Sequence, residues 1–292
     1  MKYSLFTVSV PEMTPEEALK KMQQYGYDGV DWRVKELSED EEILKEAPSY
    51  WRNNYCTIDI ADIDQKAEAI KILTEKYGIC VNALATYLIC TDSEEKIERC
   101  LIAAKKMGCA RIRVNAPKYD GECSYQELFE QAVAGFGRVS RLCARHGVKA
   151  DLEMHMNTIT PSASAAYRLV SNFSPEYIGV IYDTGNVIYE GYETYQMAFE
   201  ILGPYLDLVH IKNARWVKKE QDQKEQDQKE RYQPDWAPFT DGYADFEQCF
   251  RALKKTGYDG YITFEDFSSE ESSEEKIKNN ISFIKSIIKT IE

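Results

Sequence analysis

The chain has 292 residues, 43% of them hydrophobic and 29% charged, enough apolar material for a large core and enough charge for a solvated surface. Its 36 basic and 49 acidic side chains leave a formal charge of −13, which repels phosphate backbones and anionic lipid and so excludes nucleic acid as an expected partner. No apolar run reaches the roughly 18 residues needed to span a bilayer, and the opening MKYSLFTVSVPEM lacks a signal-type core and cleavage site; the expected location is cytoplasmic.

Eight cysteines (56, 80, 90, 100, 109, 123, 143 and 249) are scattered without a C-x-x-C pair and are expected to be reduced. The length would suit about two average domains, but α/β barrels commonly run to about 250 residues as one, so a single domain over 1–292 is expected.

The first helix is written in its punctuation. Thr14 is the N-cap, Pro15 stands in the first turn, Glu17 completes a capping box, Ala18, Leu19, Met22 and Tyr25 form the apolar stripe, and Gly26 ends it. The same grammar recurs over Asp92–Gly108 and Ser124–Gly147. Between the helical patterns lie runs rich in apolar and β-branched residues, at 4–10, 29–34, 79–88, 110–116, 148–156, 178–183, 207–213 and 261–267. Eight strands alternating with about eight helices predict an α/β fold, a single closed (β/α)8 TIM barrel. An open doubly wound sheet binding a dinucleotide would show G-x-G-x-x-G, which is absent.

Gly-Tyr-Asp-Gly occurs at 26–29 and again at 257–260, each time between a helix end and a strand, and is read as a repeated loop at the bottom of the barrel. The stretch from Trp216 to Tyr232, WVKKEQDQKEQDQKERY, is a charged insertion after the seventh strand; it is expected at the catalytic face as a solvated helix or loop, a lid, or an oligomer contact.

Active sites of barrels are built at the C-terminal ends of strands. Four acidic or imidazole side chains fall there: Glu153 (ADLEMH), Asp183 (VIYDTGN), His210 (LVHIKN) and Glu265 (ITFEDF). Three carboxylates gathered in one space repel one another unless protons or a cation compensate them, so a divalent metal ion is expected as cofactor. Oxygen ligands with one nitrogen suit Mn²⁺, Mg²⁺ or Co²⁺, and also Zn²⁺.

In its segments LEMH, YDTGN, VHIKN and GYDGYITFE, the chain resembles the xylose isomerase-like TIM-barrel superfamily, in particular its sugar phosphate isomerase/epimerase branch, over essentially its whole length. The resemblance implies the same four metal ligands and a small carbohydrate as substrate. It also implies that Glu153 and Glu265 flank the substrate. One would remove a proton next to a metal-polarised carbonyl and the other return it to the opposite face through an enediolate. Asn186 stands where many relatives have histidine, Asn213 where they tend to have aspartate, and Arg215 is an approximate counterpart of the epimerase arginine.

His155, Asn186, Lys212, Arg215 and Arg33 are the candidate substrate contacts. His155 and Lys212 share the facing of Glu153 and His210; the other reading of Lys212 is neutralisation of surplus carboxylate charge. Arg33 ends the second strand and could wall the pocket, while Trp32 reads as packing between strand and helix. His146, in a last helical turn, is set aside, and Asp266 reads as a surface or helix-cap residue.

A lyase or dehydratase acting on a keto-sugar, keto-inositol or 3-keto-glycoside is the alternative reaction, because elimination begins with the same proton abstraction; His155 would then be the acid for the leaving group. An apurinic endonuclease is disfavoured by three histidines in all and by the negative charge, and a non-catalytic sugar-binding barrel is the remaining alternative. A homo-oligomer is compatible with the sequence.

Overall fold

The computed structural model describes residues 1–219 and 232–291. Eight parallel strands close a barrel: β1 (Lys2–Phe6), β2 (Gly29–Lys35), β4 (Cys80–Thr86), β5 (Arg111–Arg113), β6 (Lys149–Glu153), β7 (Ile178–Asp183), β8 (Leu206–Ile211) and β11 (Tyr261–Phe264). They pair in that order, and β11 returns to β1 to complete the ring. A ninth parallel strand, β3 (Thr57–Asp59), is added on β2 beside the ring.

One or two α-helices follow each barrel strand, and the helix ends obey the sequence. The capping boxes at Thr14/Glu17 and Ser124/Glu127 are both formed. Gly26 and Gly257 end their helices at φ values of 80° and 79°, so both Gly-Tyr-Asp-Gly segments are helix-to-strand loops at the N-terminal ends of strands.

The insertion differs from expectation at its edges. Asn213–Lys218 (β9) and Tyr232–Ala237 (β10) pair antiparallel as two arms of a ribbon, so its ends are strand rather than helix or loop. The residues between, 220–231, lie outside the described residues. No described helix is long and apolar enough to cross a membrane.

The strand period of two sorts the barrel into an oily outside and a polar inside. Leu5, Val30, Trp32, Ile112, Leu152, Tyr182, Val209, Ile211, Ile262 and Phe264 belong to the large core shared with the helices. The alternate positions face the lumen, where Ala83, Ile181 and Leu208 form a small separate apolar cluster. Asp31, Arg113, Asp151, Glu153, Asp183, His210, Thr263 and Glu265 are buried in the same alternation. Trp32 packs outward as expected. Asp266 is instead buried, accepting from Ser268 and from Asn280 Nδ2 at 2.8 Å, and so anchors the last helix under the site. All eight cysteines are free thiols.

Candidate metal centre and substrate cavity

Register brings the four expected ligands together. Asp183 pairs with His210 across β7 and β8, and His210 pairs with Thr263 on β11, two residues before Glu265. Each of Glu153, Asp183, His210 and Glu265 offers one ligand atom, and these atoms lie within 4.8 Å of one another in a buried group.

How each side chain is held decides which atom it offers. Asp183 Oδ1 accepts from the backbone N–H groups of Gly185 (2.9 Å) and Asn186 (2.8 Å), leaving Oδ2 without a hydrogen bond of good geometry. That explains the Asp-Thr-Gly-Asn run: the turn locks the carboxylate, and a Cβ on Gly185 would sit 2.7 Å from Lys212 Cγ. Glu153 Oε2 accepts from Arg113 Nη1 at 2.7 Å, while Oε1 faces His210 Nδ1 at 3.4 Å. Glu265 is treated in the same way, with Oε2 on Lys212 Nζ at 2.7 Å and Oε1 at 3.2 Å from His210 Nδ1. Lys212 Nζ is also 3.0 Å from Asp183 Oδ2.

On the far side of the imidazole, His210 Nε2 is 3.5 Å from Asp31 Oδ2. Asp31 is itself fixed by Ser4 Oγ (2.5 Å), Asn82 Nδ2 (2.6 Å) and Thr263 Oγ1 (2.9 Å). A carboxylate behind a ligating histidine sets its tautomer and leaves the other nitrogen free for an ion. Both His210 nitrogens and Asp183 Oδ2 are buried with ionic neighbours but no hydrogen bond of good geometry, a state that costs free energy and that a cation between them would relieve. Three anionic oxygens and one nitrogen therefore fit a divalent metal ion.

The charges are already strained by this crowding. Burial alone would pull the His210 pKa down, but Asp31, Glu153 and Glu265 outweigh it and hold the ring well above its ordinary value. Burial opposes the charge of Glu265, yet Lys212 and His210 win and bring its carboxyl down to about 2. Burial raises Asp183, with Lys212 opposing and the two glutamates reinforcing the rise.

A cavity of about 430 Å³ opens at the cluster, and of the four ligand residues Glu153 and Glu265 line it while Asp183 and His210 do not. Phe6, Tyr87, Trp236 and Phe267 supply aromatic walls. Trp236 comes from β10, so the ribbon after β8 does reach the catalytic face; it stacks on Tyr189, with ring centroids 4.4 Å apart. His155 and Lys212 line the cavity as expected, and His155 Nδ1 bonds to the Met156 carbonyl at 2.8 Å.

Three expected substrate contacts are placed elsewhere. Asn186 lies below the cavity, its Nδ2 donating to the Met154 carbonyl at 3.1 Å to tie β7 to β6, because the Asp183 turn carries it inward. Arg215 points along the ribbon to Asp241 (2.8 Å) and Glu270 (3.2 Å), three acidic groups with Asp235 capturing it at the surface. Arg33 faces a neighbouring cavity, against Thr57 and over the ring of Tyr87. Asp31 and Arg113 were not anticipated as site residues. The alternation Arg111-Ile112-Arg113, a strand with one polar face, was the signal for the second.

The inosose dehydratase of Geobacillus kaustophilus is 31% identical to this chain over 148 residues, 47% of this chain and 45% of that protein. The chain's matches span about half the length of the first curated relatives. Among solved structures, the 3-keto-D-glucoside 4-epimerase of E. coli superposes with a TM-score of 0.70 at 17% identity, covering 98% of this chain and 99% of that one. The IolI protein, solved with a zinc atom bound, gives 0.71 at 16% identity, covering 100% of this chain and 99% of that one. The profile of the xylose isomerase-like TIM barrel matches residues 19–287, and the chain belongs to that family.

Proposed function

We propose that the chain is a divalent-metal-dependent isomerase or epimerase that removes a proton next to the carbonyl of a sugar or sugar derivative. The observation that carries this reading is the placing of two glutamates, Glu153 and Glu265, on the cavity wall around a buried four-residue ligand set. A metal ion held by Glu153, Asp183, His210 and Glu265 (manganese, magnesium, cobalt or zinc) would supply Lewis acidity to the substrate carbonyl.

The protein's own groups divide the remaining work. Two carboxylates lining one cavity can take and return a proton on the two faces of one carbon. Lys212, with its ammonium 2.7 Å from Glu265, can donate to the oxygen on which negative charge develops. Arg113 holds Glu153 in place, and Asp31 holds His210. The aromatic walls exclude water and offer faces for sugar C–H groups. The eight free thiols support a reducing, cytoplasmic setting.

A dehydratase is the second reading, favoured by one observation. His155 lines the cavity with Nδ1 engaged by a backbone carbonyl, a fixed orientation suited to an acid for a leaving hydroxyl. The curated relatives of this chain carry the name inosose dehydratase.

Incubating the metal-loaded protein in D₂O with ketoses, keto-inositols and 3-keto-glycosides separates the two. Deuterium entering carbon next to the carbonyl without elimination supports the isomerase or epimerase. Loss of water, with or without deuterium entry, supports the dehydratase. Absence of both exchange and elimination on all of them rejects proton abstraction.

A further inference from the structure

Four cationic side chains are more than nine-tenths buried among the described residues: Arg33, Arg113, Lys212 and Lys276. Arg113 has Glu153 at 2.7 Å, Lys212 has Glu265 at 2.7 Å, and Lys276 has Asp266 at 3.9 Å. Arg33 alone of these has no carboxylate of the described residues within 4.0 Å. Among the described residues its guanidinium donates to Thr57 Oγ1 and, at 3.4 Å, to the Trp51 carbonyl and lies over the Tyr87 ring, while its Nε has no acceptor. Burying a charge without a counter-charge is costly, the more unexpected in a chain of net charge −13.

Arg33 lines a second cavity, of about 440 Å³, together with Lys35, Arg52, Asn53 and Asn54. Lys35, an exposed residue at the rim of this cavity, forms no ion pair among the described residues; partial desolvation and the neighbouring Arg33 both lower its pKa. Glu36 is the one carboxylate on this wall, and Arg52 is matched by Glu46 at 2.9 Å. The cavity adjoins the metal-site cavity. Trp51 lines both, and the Tyr87 ring carries the Arg33 guanidinium at 5.3 Å and that of Arg113, the partner of Glu153, at 5.0 Å.

We propose that this second cavity is the subsite for an anionic group, phosphate or carboxylate, on the same substrate whose carbonyl end reacts beside Glu153 and Glu265. The inference rests on the function proposed above and names its substrate class: a sugar or polyol derivative bearing a negative charge away from the reacting carbon. Arg33 presents a planar donor set suited to either oxyanion, and Lys35 adds a second positive charge.

The test uses the full chain and two probes, inorganic phosphate and acetate, titrated calorimetrically at low ionic strength. The expected result is saturable binding of at least one ion, weakened at least about tenfold in both Arg33→Met and Lys35→Gln, a loss of about 1.4 kcal/mol or more. Metal content should be unchanged in both variants. Deuterium uptake is then compared for phosphorylated, carboxylated and neutral ketoses; faster uptake with one anionic class identifies which oxyanion the subsite takes. No saturable binding of either ion, binding that survives both substitutions, or neutral ketoses exchanging as fast as their anionic counterparts overturns the proposal. If ion binding behaves as expected but no compound exchanges or loses water, the subsite is supported and the proton-abstraction reading fails.

Discussion

Arg113 Nη1 and Glu153 Oε2 are 2.7 Å apart at the wall of the metal-site cavity, both side chains almost fully buried. One oxygen of the glutamate is thereby committed to a cation and the other is turned toward His210. Removing the cation strands a buried carboxylate, which typically costs about 3–5 kcal/mol. Arg113→Met should therefore lower the thermal midpoint of the metal-free protein, and saturating Mn²⁺ should restore part of the loss. Differential scanning calorimetry with and without the ion reads both; equal losses in the two states would show that Glu153 does not meet the metal.

Asp31 acts through His210 rather than on a substrate. Asp31→Asn keeps the shape of the network with Ser4, Asn82 and Thr263 but weakens the hold on His210 Nε2. Divalent-ion affinity should fall by about 10–100-fold, as for other groups that orient a ligating histidine. Titration calorimetry with Mn²⁺ checks it, and an unchanged affinity would mean that Asp31 only fills the barrel.

Lys212 stands among the ligands as a resident cation, 2.7 Å from Glu265 and 3.0 Å from Asp183. Held by the same carboxylates, an ammonium and a divalent ion would repel each other by roughly 8 kcal/mol at a separation of about 4 Å and an effective dielectric near 20, twice the value for two unit charges. Lys212→Met should therefore tighten Mn²⁺ binding by about tenfold or more, while deuterium uptake by substrate falls. Tighter binding with unimpaired uptake would restrict the lysine to charge balance.

The barrel was legible because each strand and helix carries its own local signal: capped helices such as Pro15–Tyr25, and apolar runs such as 178–183 whose length and β-branching suit strands buried on both faces. The three-residue β3 was not, since Thr57–Asp59 is too short to show a period. The ribbon arm Asn213–Lys218 was hidden because it follows β8 after one residue and runs into a polar stretch. The four ligands stood out as strand-end polar residues. Asp31 sits inside β2, where only knowledge of which face lines the lumen distinguishes a site residue from a stray polar one; Arg113 ends β5 but lies in the middle of the apolar run 110–116, which hid its strand-end position. Arg215 was misplaced because its partners Asp241 and Glu270 are distant in sequence.

Glu265 also links the site to acid stability. Its folded-state carboxyl lies at about 2, below an ordinary 4.5, so the unfolded chain takes up the proton more readily. In the metal-free protein its contribution is fully present above pH 4.5 and is lost as the pH falls toward 2, on the order of 3 kcal/mol in all. Glu265→Gln should flatten the dependence of unfolding free energy on pH across that window, measured by urea titration; an unchanged slope would remove Glu265 from the ion-pair network.

The most direct measurement is metal content by mass spectrometry of the purified protein after dialysis against Mn²⁺ and then metal-free buffer, beside Asp183→Asn and His210→Gln. One tightly held divalent ion per chain, lost in both variants, is the expected result. No stoichiometric ion in the wild-type chain, or the same ion retained in both variants, would contradict a metal centre at Glu153, Asp183, His210 and Glu265.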